Sequence, residues 1–284
     1  MIDNSPKLKI LSRNGVGYDR IDIPELTNRK IPLTIVGDVN SGSVAEHTIM
    51  FILDLLKNSK RHDAMVRGDK WKDRDLLISN DFARKKILIV GVANKFSIAS
   101  GIAESMHNQG AELILSYQSE RLKDKVVKLG NTWDCETYIE CDVSNDESIS
   151  NMMDVIKDKW GYLDGIVHAV GFAPANELDG DFIEAATREG FKIAHDISVY
   201  SFTALAKAGN SLMTGRNASL LTLSYLGAER TLPNYNVMGV AKAALESTTR
   251  YLANSLGPQG ISCLLYTSDA ADEGLGVDLG GRRI

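Results

Sequence analysis

Five short apolar runs alternate with longer amphipathic segments between residues 86 and 262, and this alternation is the strongest constraint on the fold. The runs are KILIV (86–90), ELILS (112–116), TYIEC (137–141), GIVHAV (165–170) and SLLTL (219–223). Apolar strands separated by stretches long enough for crossover helices are typical of a parallel sheet covered on both faces. The sequence therefore predicts an α/β fold with a doubly wound parallel sheet.

Composition limits the classes of function. The net charge of -5 comes from dispersed charges without a basic block, which argues against nucleic-acid and anionic-membrane partners. Cys135, Cys141 and Cys263 have neither metal-ligand nor disulfide-scaffold spacing. The first residues lack a signal pattern, and no apolar run approaches about 18 residues. We expect a cytoplasmic protein that acts on small molecules and has no metal site.

Residues 1 to 80 follow a different pattern. LKILS and PLTIV predict two strands around a short helix that begins at Pro24, since proline suits a first helical position. The stretch 43–66 predicts one long helix, opened by Ser43 and Glu46 in a capping-box pattern. This part reads as a small αβ fragment that ends in one long helix.

The loop after the first main strand is a candidate pyrophosphate site. It lacks G-x-G-x-x-G, but Gly91 lies at the turn, Ser97 is placed to cap a helix and Gly101 permits close packing. A helix that begins after a parallel strand offers free N–H groups to a pyrophosphate. Glycine and serine are also ordinary loop residues, so this pattern alone is a weak signal.

The ends of the next two strands could contact an adenosine. Gln118 is placed to hydrogen-bond the ribose hydroxyls, whereas the nearby Arg121 leaves a 2′-phosphate possible. Asp142 can either accept a hydrogen bond from the adenine amino group or begin the following helix, and the residues alone do not separate these two roles.

The stretch SYLGAERTLPNYNVMGVAK contains Tyr225, Tyr235 and Lys242. Helical periodicity from Tyr235 to Gly257 places Tyr235 and Lys242, seven residues apart, on one face about two turns apart. A nearby ammonium favours the phenolate form of a tyrosine, which suits acid/base chemistry. The spacing alone favours core aromatics beside a surface lysine, because tyrosine and lysine seven residues apart on a helix often occur by chance.

Several motifs together carry a family resemblance: GVANKFSIASGIA, YQSERLK, CDV, HAVGFAP, TREGFKIAHDISVYSF and LSYLGAERTLPNYNVMGVAKAALE. From about Lys86 to Ser262 the chain closely resembles the bacterial NADH-dependent enoyl-[acyl-carrier-protein] reductases of fatty-acid biosynthesis. These are Rossmann-like members of the short-chain dehydrogenase/reductase superfamily. Six residues separate Tyr235 from Lys242, a wider spacing than in most of that superfamily.

The resemblance implies NAD as the cofactor, an acyl carrier protein bearing a trans-2-enoyl thioester as the partner, and commonly a homotetramer. It implies that Tyr235 is the acid and enolate stabiliser, that Lys242 holds the nicotinamide ribose and that Tyr225 lines the substrate pocket. The other implied positions are Gly91, Ser97 and Ile98 at the pyrophosphate, Gln118 at the adenosine ribose, Asp142 and Val143 at the adenine, Val170 and Gly171 beside the cofactor, and Ala173 at the substrate.

Both ends depart from this family. Residues 1–82 resemble the outer domain and interdomain helix of D-2-hydroxyacid dehydrogenases of the phosphoglycerate dehydrogenase type, but stop before that family's catalytic residues. Glu46 and His47 are therefore interpreted as cap and packing residues. After residue 262 the family's sixth strand, nicotinamide loop, substrate-covering segment and seventh strand are expected to be missing. Residues 263–284 instead resemble translated sequencing adaptor.

These observations predict a C-terminally truncated reductase domain, residues 83–262, in a chimeric polypeptide. The sequence is consistent with three functions. The first is an enoyl reductase whose activity the truncation could impair; the others are a D-2-hydroxyacid dehydrogenase fragment and an inactive chimera.

Overall fold

A six-stranded parallel sheet is the centre of the fold. The computed structural model describes residues 5, 7–13, 21–35, 46–47, 49–51, 53–54, 57, 59–68 and 82–267. Counted from its first strand, the sheet has the Rossmann strand order 3-2-1-4-5-6. The predicted doubly wound α/β fold is confirmed. Its strands are β3 (Lys86–Val90), β4 (Glu112–Tyr117), β5 (Tyr138–Glu140), β6 (Gly165–His168), β7 (Ser219–Ser224) and β8 (Ser262–Thr267).

Helices connect consecutive strands, and local capping residues define their ends. The Asn145 side chain accepts hydrogen bonds from two N–H groups at the start of α5, and Gly161 closes that helix with φ 72°. The helices of this part are α3 (Ile98–Asn108), α4 (Glu120–Gly130), α5 (Asp146–Trp160), α6 (Phe182–Ala185), α7 (Arg188–His195), α8 (Ser201–Met213) and α9 (Asn236–Leu256). A π-helical turn, Asp196–Tyr200, joins α7 to α8.

Strand side chains alternate between two cores, as a sheet covered on both faces requires. Leu88 and Val90 of β3 face the core that includes residues of α5, α8 and α9. Ile87 and Ile89 of the same strand face the core that includes residues of α3. The two cores pack on the two faces of the sheet. The carboxyl ends of its strands, where ligands bind in such folds, are thereby fixed in position.

Several element boundaries differ by one or two residues from the sequence prediction. The run GIVHAV was expected to be a strand to residue 170, but β6 ends at His168, because its partner β3 ends at Val90 and pairing stops there. The helix that ends near Gly257 continues into a 3₁₀ turn, and Gly257 itself is right-handed with φ -54°. Gly260, at φ 76°, takes the left-handed position instead.

The expectation that the sixth strand is missing was wrong. Residues Ser262–Thr267 form β8, which pairs in parallel with β7 from Ser219 to Ser224. The run SCLLYT is apolar enough to extend the sheet at the free edge of β7, and its Tyr266 is 1% exposed in the core. The folded domain therefore extends at least to Thr267, past the predicted boundary at residue 262. Residues 268–284 lie outside the described part of the chain.

Replacing Tyr266 with alanine is expected to destabilise the domain. Removing a fully buried aromatic side chain leaves a cavity and costs about 3 kcal/mol of unfolding free energy. Denaturant unfolding followed by circular dichroism measures this loss. Tyr251→Ala is the matched control, because Tyr251 is 77% exposed on α9. Equal stability of the two variants would show that β8 is not part of the core.

The N-terminal part contains a separate two-stranded parallel sheet. It consists of β1 (Leu11–Arg13) and β2 (Leu33–Ile35) around α1 (Ile23–Asn28), whose first turn holds Pro24 as predicted. The single long helix predicted for residues 43–66 is interrupted: Lys57 lies in a turn between helical residues 46–54, as far as these are described, and α2 (Ser59–Arg67). The proposed cap residue Ser43 lies outside the described residues.

His47 and Phe51 pack on Tyr266 of β8. Each ring centroid lies 6.2 Å from that of Tyr266, which supports the interpretation of His47 as a packing residue. Within the described ranges, none of the helices combines the length and the apolarity that a membrane span requires.

Candidate functional site

The carboxyl ends of the strands place the predicted site residues at one edge of the sheet. Gly91 follows β3, Gln118 follows β4, Gly171 lies three residues after β6, and Tyr225 follows β7. In a parallel sheet these ends lie side by side, so residues far apart in the sequence come together. The structure thus supports the placement of the site, while the role of each residue stays a prediction.

The turn after β3 allows a close backbone approach. Gly91 has φ 108°, and a Cβ there would collide with the carbonyl oxygen of Ala169. A side chain at this position would therefore push apart the ends of β3 and β6. The turn needs glycine both for its conformation and for space.

Ser97 caps α3, as predicted. Its hydroxyl oxygen accepts a hydrogen bond from the Ser100 N–H at 3.3 Å, and the hydroxyl donates to the Asn94 carbonyl at 2.8 Å. Ile98 is the first residue of the helix and is half-buried. The N-terminus of α3 follows the carboxyl end of β3, and a helix N-terminus in that place suits a pyrophosphate.

The three residues assigned to the adenosine differ in exposure and in hydrogen bonding. Gln118 is exposed at the end of β4. The Asp142 carboxylate accepts hydrogen bonds from the Ser144 N–H at 3.0 Å and the Ser144 hydroxyl at 2.8 Å, whereas Asn145 caps α5. The helix begins at Asp146, so of the two roles considered for Asp142, beginning the following helix is wrong. Val143 is buried in the core, so only its backbone is placed to reach a ligand.

Tyr225 and Tyr235 are in direct contact. Their ring centroids are 5.2 Å apart with an interplanar angle of 65°, an edge-to-face arrangement. The Tyr235 ring also packs on Gly227, where a Cβ would collide with it. Gly227 therefore lets the loop after β7 lie flat against Tyr235, which precedes the first residue of α9.

Lys242 is a buried lysine on α9, with 8% of its surface exposed. Its Nζ donates a hydrogen bond to the Leu223 carbonyl at 2.8 Å. Burial lowers the pKa of the Lys242 ammonium from 10.5 to about 8, because removal from water disfavours the charged form. A Cβ on Gly171 would lie 3.5 Å from Nζ, so the lysine reaches the cofactor edge between β6 and β7.

The other expected positions after β6 differ in exposure. Val170 is half-buried, Gly171 is exposed, and Ala173 is 9% exposed within the core cluster. The neighbouring Phe172 is 51% exposed at the same edge.

Two sets of side-chain hydrogen bonds near the site were not predicted from the sequence. The Ser224 hydroxyl donates to the Glu246 carboxylate at 2.6 Å, and His168 lies fully buried between β7 and α8. For His168 the signal was a single polar residue inside the apolar run GIVHAV. The sequence carried no signal for its partners.

The Rossmann sheet and the glycine turn after its first strand are the arrangement of dinucleotide-dependent oxidoreductases. The chain belongs to the enoyl-(acyl carrier protein) reductase family, whose profile matches residues 91–264. This match includes the first residues of β8.

Similar proteins span most of the same region. The NADH-dependent enoyl-[acyl-carrier-protein] reductase FabI of Escherichia coli is 54% identical over 177 residues, which cover 62% of this chain and 67% of that protein. The FabI of Neisseria meningitidis is 48% identical over 179 residues, covering 63% and 69%. The chain thus spans about two thirds of the length of these curated relatives.

Solved structures of enoyl-acyl carrier protein reductases resemble this chain in fold and in sequence. The enoyl-[acyl-carrier-protein] reductase (NADH) of Aquifex aeolicus superposes with a TM-score of 0.64 at 47% identity, covering 65% of this chain and 73% of that one. The reductase of Anaplasma phagocytophilum, solved in complex with NAD, has a TM-score of 0.61 at 46% identity and covers 64% and 70%. The Bacillus cereus enoyl-acyl carrier protein reductase, solved with NADP+ and indole naphthyridinone, has a TM-score of 0.63 at 44% identity and covers 65% and 72%.

Proposed function

We propose that this chain catalyses the NADH-dependent reduction of trans-2-enoyl-acyl carrier protein to acyl carrier protein in fatty-acid biosynthesis. The observation that carries the proposal is the arrangement of Tyr225, Tyr235 and Lys242 at the carboxyl edge of a Rossmann sheet. Family membership and relatives named as NADH-dependent enoyl-[acyl-carrier-protein] reductases support it.

The residues present fit a nicotinamide dinucleotide. Gly91 gives the close backbone approach, and the N-terminus of α3 behind Ser97 and Ile98 suits a pyrophosphate. We assign Gln118 to the adenosine ribose, the Asp142 carboxylate and the Val143 backbone to the adenine, and Val170 with Gly171 to the nicotinamide side. The amide of Gln118 favours NADH because a 2′-phosphate would require a cation there; the exposed Arg121 is the residue that would admit NADPH.

Tyr235 is assigned the acid role. When bound, NADH supplies a hydride to the β-carbon of the enoyl thioester. Negative charge then develops on the thioester oxygen as the enolate forms, and the Tyr235 hydroxyl donates a hydrogen bond to that oxygen. Tyr225 packs against Tyr235 and, with Ala173, lines the substrate pocket.

Lys242 is assigned to the nicotinamide ribose. Its ammonium already donates to the Leu223 carbonyl and has further protons for ribose hydroxyls.

The test is NADH oxidation by the complete chain, followed at 340 nm, with crotonyl and longer trans-2-enoyl thioesters of coenzyme A and of acyl carrier protein. We expect turnover with enoyl thioesters and NADH, and less with NADPH. Oxidation that requires a 2-keto acid would instead indicate the hydroxyacid dehydrogenase function. Failure to bind NADH, accompanied by aggregation, would identify an inactive chimera.

Further proposals concern the origin of the two ends of the chain, its location and its oligomeric state. We propose that residues 1–82 derive from a D-2-hydroxyacid dehydrogenase-like sequence and that residues 263–284 derive from adaptor sequence; the sequence motifs of the two segments are the ground for both assignments. Independent nucleotide reads continuous across residues 75–91 and 260–270 would contradict both. The cytoplasmic location and the tetramer are proposals from cysteine usage and from the family; fractionation and size-exclusion chromatography test them.

A further inference from the structure

His168 is a fully buried histidine, with 0% of its surface exposed, at the end of β6. Both ring nitrogens have partners: Nδ1 lies 2.8 Å from the Thr222 hydroxyl of β7, and Nε2 lies 2.8 Å from the Ser201 hydroxyl of α8. Burying an imidazole is costly unless both nitrogens are satisfied. The ring therefore fixes three separate elements relative to one another.

The hydrogen-bond directions follow from Ser201. Its hydroxyl donates to the Ile197 carbonyl at 2.7 Å, so its oxygen accepts from His168 and the ring proton lies on Nε2. Nδ1 then accepts from the Thr222 hydroxyl, whose other acceptor, the His168 carbonyl, is more distant at 3.4 Å. The ring is neutral in this arrangement. Its burial, together with the charge on Lys242, lowers the His168 pKa to about 3.

Both backbone segments that border Lys242 are attached to this ring. The Leu223 carbonyl, which accepts the hydrogen bond from Lys242 Nζ at 2.8 Å, belongs to the residue directly after Thr222. Gly171, where a Cβ would lie 3.5 Å from Nζ, comes three residues after His168. A shift of β6 against β7 would therefore change the position and the hydration of the ammonium.

A second pair of hydrogen bonds holds the segment that follows β6. The Ser198 hydroxyl, in the π-helical turn that leads to Ser201, lies 3.0 Å from the Phe172 N–H and 3.1 Å from the Phe172 carbonyl. π-helical turns occur frequently at functional sites, where they aim a side chain that a regular helix would not. Here the turn places the Ser198 hydroxyl against the Phe172 backbone, and the helix that follows it begins with Ser201 against His168.

We propose that His168, acting through Thr222 and Ser201, is a positioning residue that holds the ends of β6 and β7 at the separation required for Lys242 to hold the nicotinamide ribose. The ligand named here rests on the proposed function, whereas the effect on the lysine itself does not. His168 contacts no reacting atom in this proposal.

The direct test is the titration of Lys242 in the ligand-free chain. Lysine ¹³Cε signals are followed by NMR over pH 6–11, with Lys242→Met used to assign the signal. The titratable groups on the elements around Lys242 include His168, Tyr225, Tyr235 and Glu246, with Arg250 and Tyr251 farther along α9 and Cys263 and Tyr266 on β8. None of them is removed when Thr222 is changed to the isosteric valine. We expect Thr222→Val to admit water and raise the Lys242 midpoint from about 8 by about one pH unit, toward 10.5.

NADH binding by fluorescence is the second measurement, and we expect about tenfold weaker binding in Thr222→Val. Thr249→Val is the matched control: Thr249 is a buried threonine of α9 that bonds within its own helix to the Leu245 carbonyl. His168→Asn is expected to fall between the wild type and Thr222→Val, because its amide oxygen replaces the Nδ1 acceptor but does not reach Ser201. It also provides a second variant if Thr222→Val does not fold.

Folded Thr222→Val or His168→Asn protein with the wild-type Lys242 midpoint and NADH affinity would overturn the proposal. A change of equal size in Thr249→Val would also overturn it, because the effect would then reflect general loosening of α9. The Lys242 titration decides the question even if the chain fails to reduce enoyl thioesters, so failure of the proposed function and failure of this proposal are distinguishable.

Discussion

Tyr235→Phe is expected to abolish most of the enoyl reductase activity while leaving the fold intact. Phenylalanine keeps the ring that packs on Gly227 and contacts Tyr225 at 5.2 Å, but it lacks the hydroxyl that would donate to the developing enolate oxygen. Loss of a general acid lowers kcat by a factor on the order of 10² to 10⁴. Steady-state kinetics with a saturating enoyl thioester measure this effect.

NADH affinity and thermal stability are expected to change little in Tyr235→Phe, because the lysine, the glycine turn and the ring packing are preserved. Tyr251→Phe is the control, since Tyr251 lies on the same helix with 77% exposure. A kcat within about threefold of wild type would remove Tyr235 from the acid role, because even the weakest general acids contribute more than that.

Lys242→Met is expected to weaken NADH binding by a factor of about 10 to 100, the range for losing a hydrogen bond from a charged donor. The same change is expected to stabilise the fold at pH 7, because methionine fills the space without the cost of burying a charge. Burial lowers the lysine pKa from 10.5 to about 8. After allowance for the lost bond to the Leu223 carbonyl, the net gain in unfolding free energy is about 2 kcal/mol.

This gain has a defined pH dependence. Between about pH 8 and 10.5 the unfolded wild-type chain binds more protons at this lysine than the folded chain does, so wild-type stability rises with pH in that window. The advantage of Lys242→Met should therefore shrink between pH 8 and 10.5. Denaturant unfolding at several pH values measures it, and an advantage that is independent of pH would contradict a buried ammonium.

Lys207→Met is the matched control for Lys242→Met. Lys207 is exposed on α8, so its replacement is expected to change stability by no more than about 0.5 kcal/mol and to leave NADH binding unaffected. Joint loss of stability and of NADH binding in Lys242→Met would indicate that the lysine is structural.

The sequence predicted the main fold well because its signals are local. The apolar runs marked five strands of the main sheet, and Ser97 and the residues from Tyr235 onward predicted the starts of α3 and α9. The sixth strand was missed because residues 263–284 were assigned from their resemblance to translated adaptor sequence and not from their apolar pattern. The apolar pattern of SCLLYT and the free edge of β7 decide whether a strand forms there, whatever the origin of the sequence.

The sequence by itself determined the doubly wound sheet, the family and the residues at the carboxyl ends of the strands. Tertiary structure decided that Lys242 is buried against the Leu223 carbonyl, that Tyr235 packs on Tyr225 and Gly227, and that Asp142 forms a turn. It also decided that His168 joins Thr222, 54 residues away. The physical reason is that periodicity and capping act within a few residues, whereas burial and side-chain partners depend on strands brought together by the complete sheet.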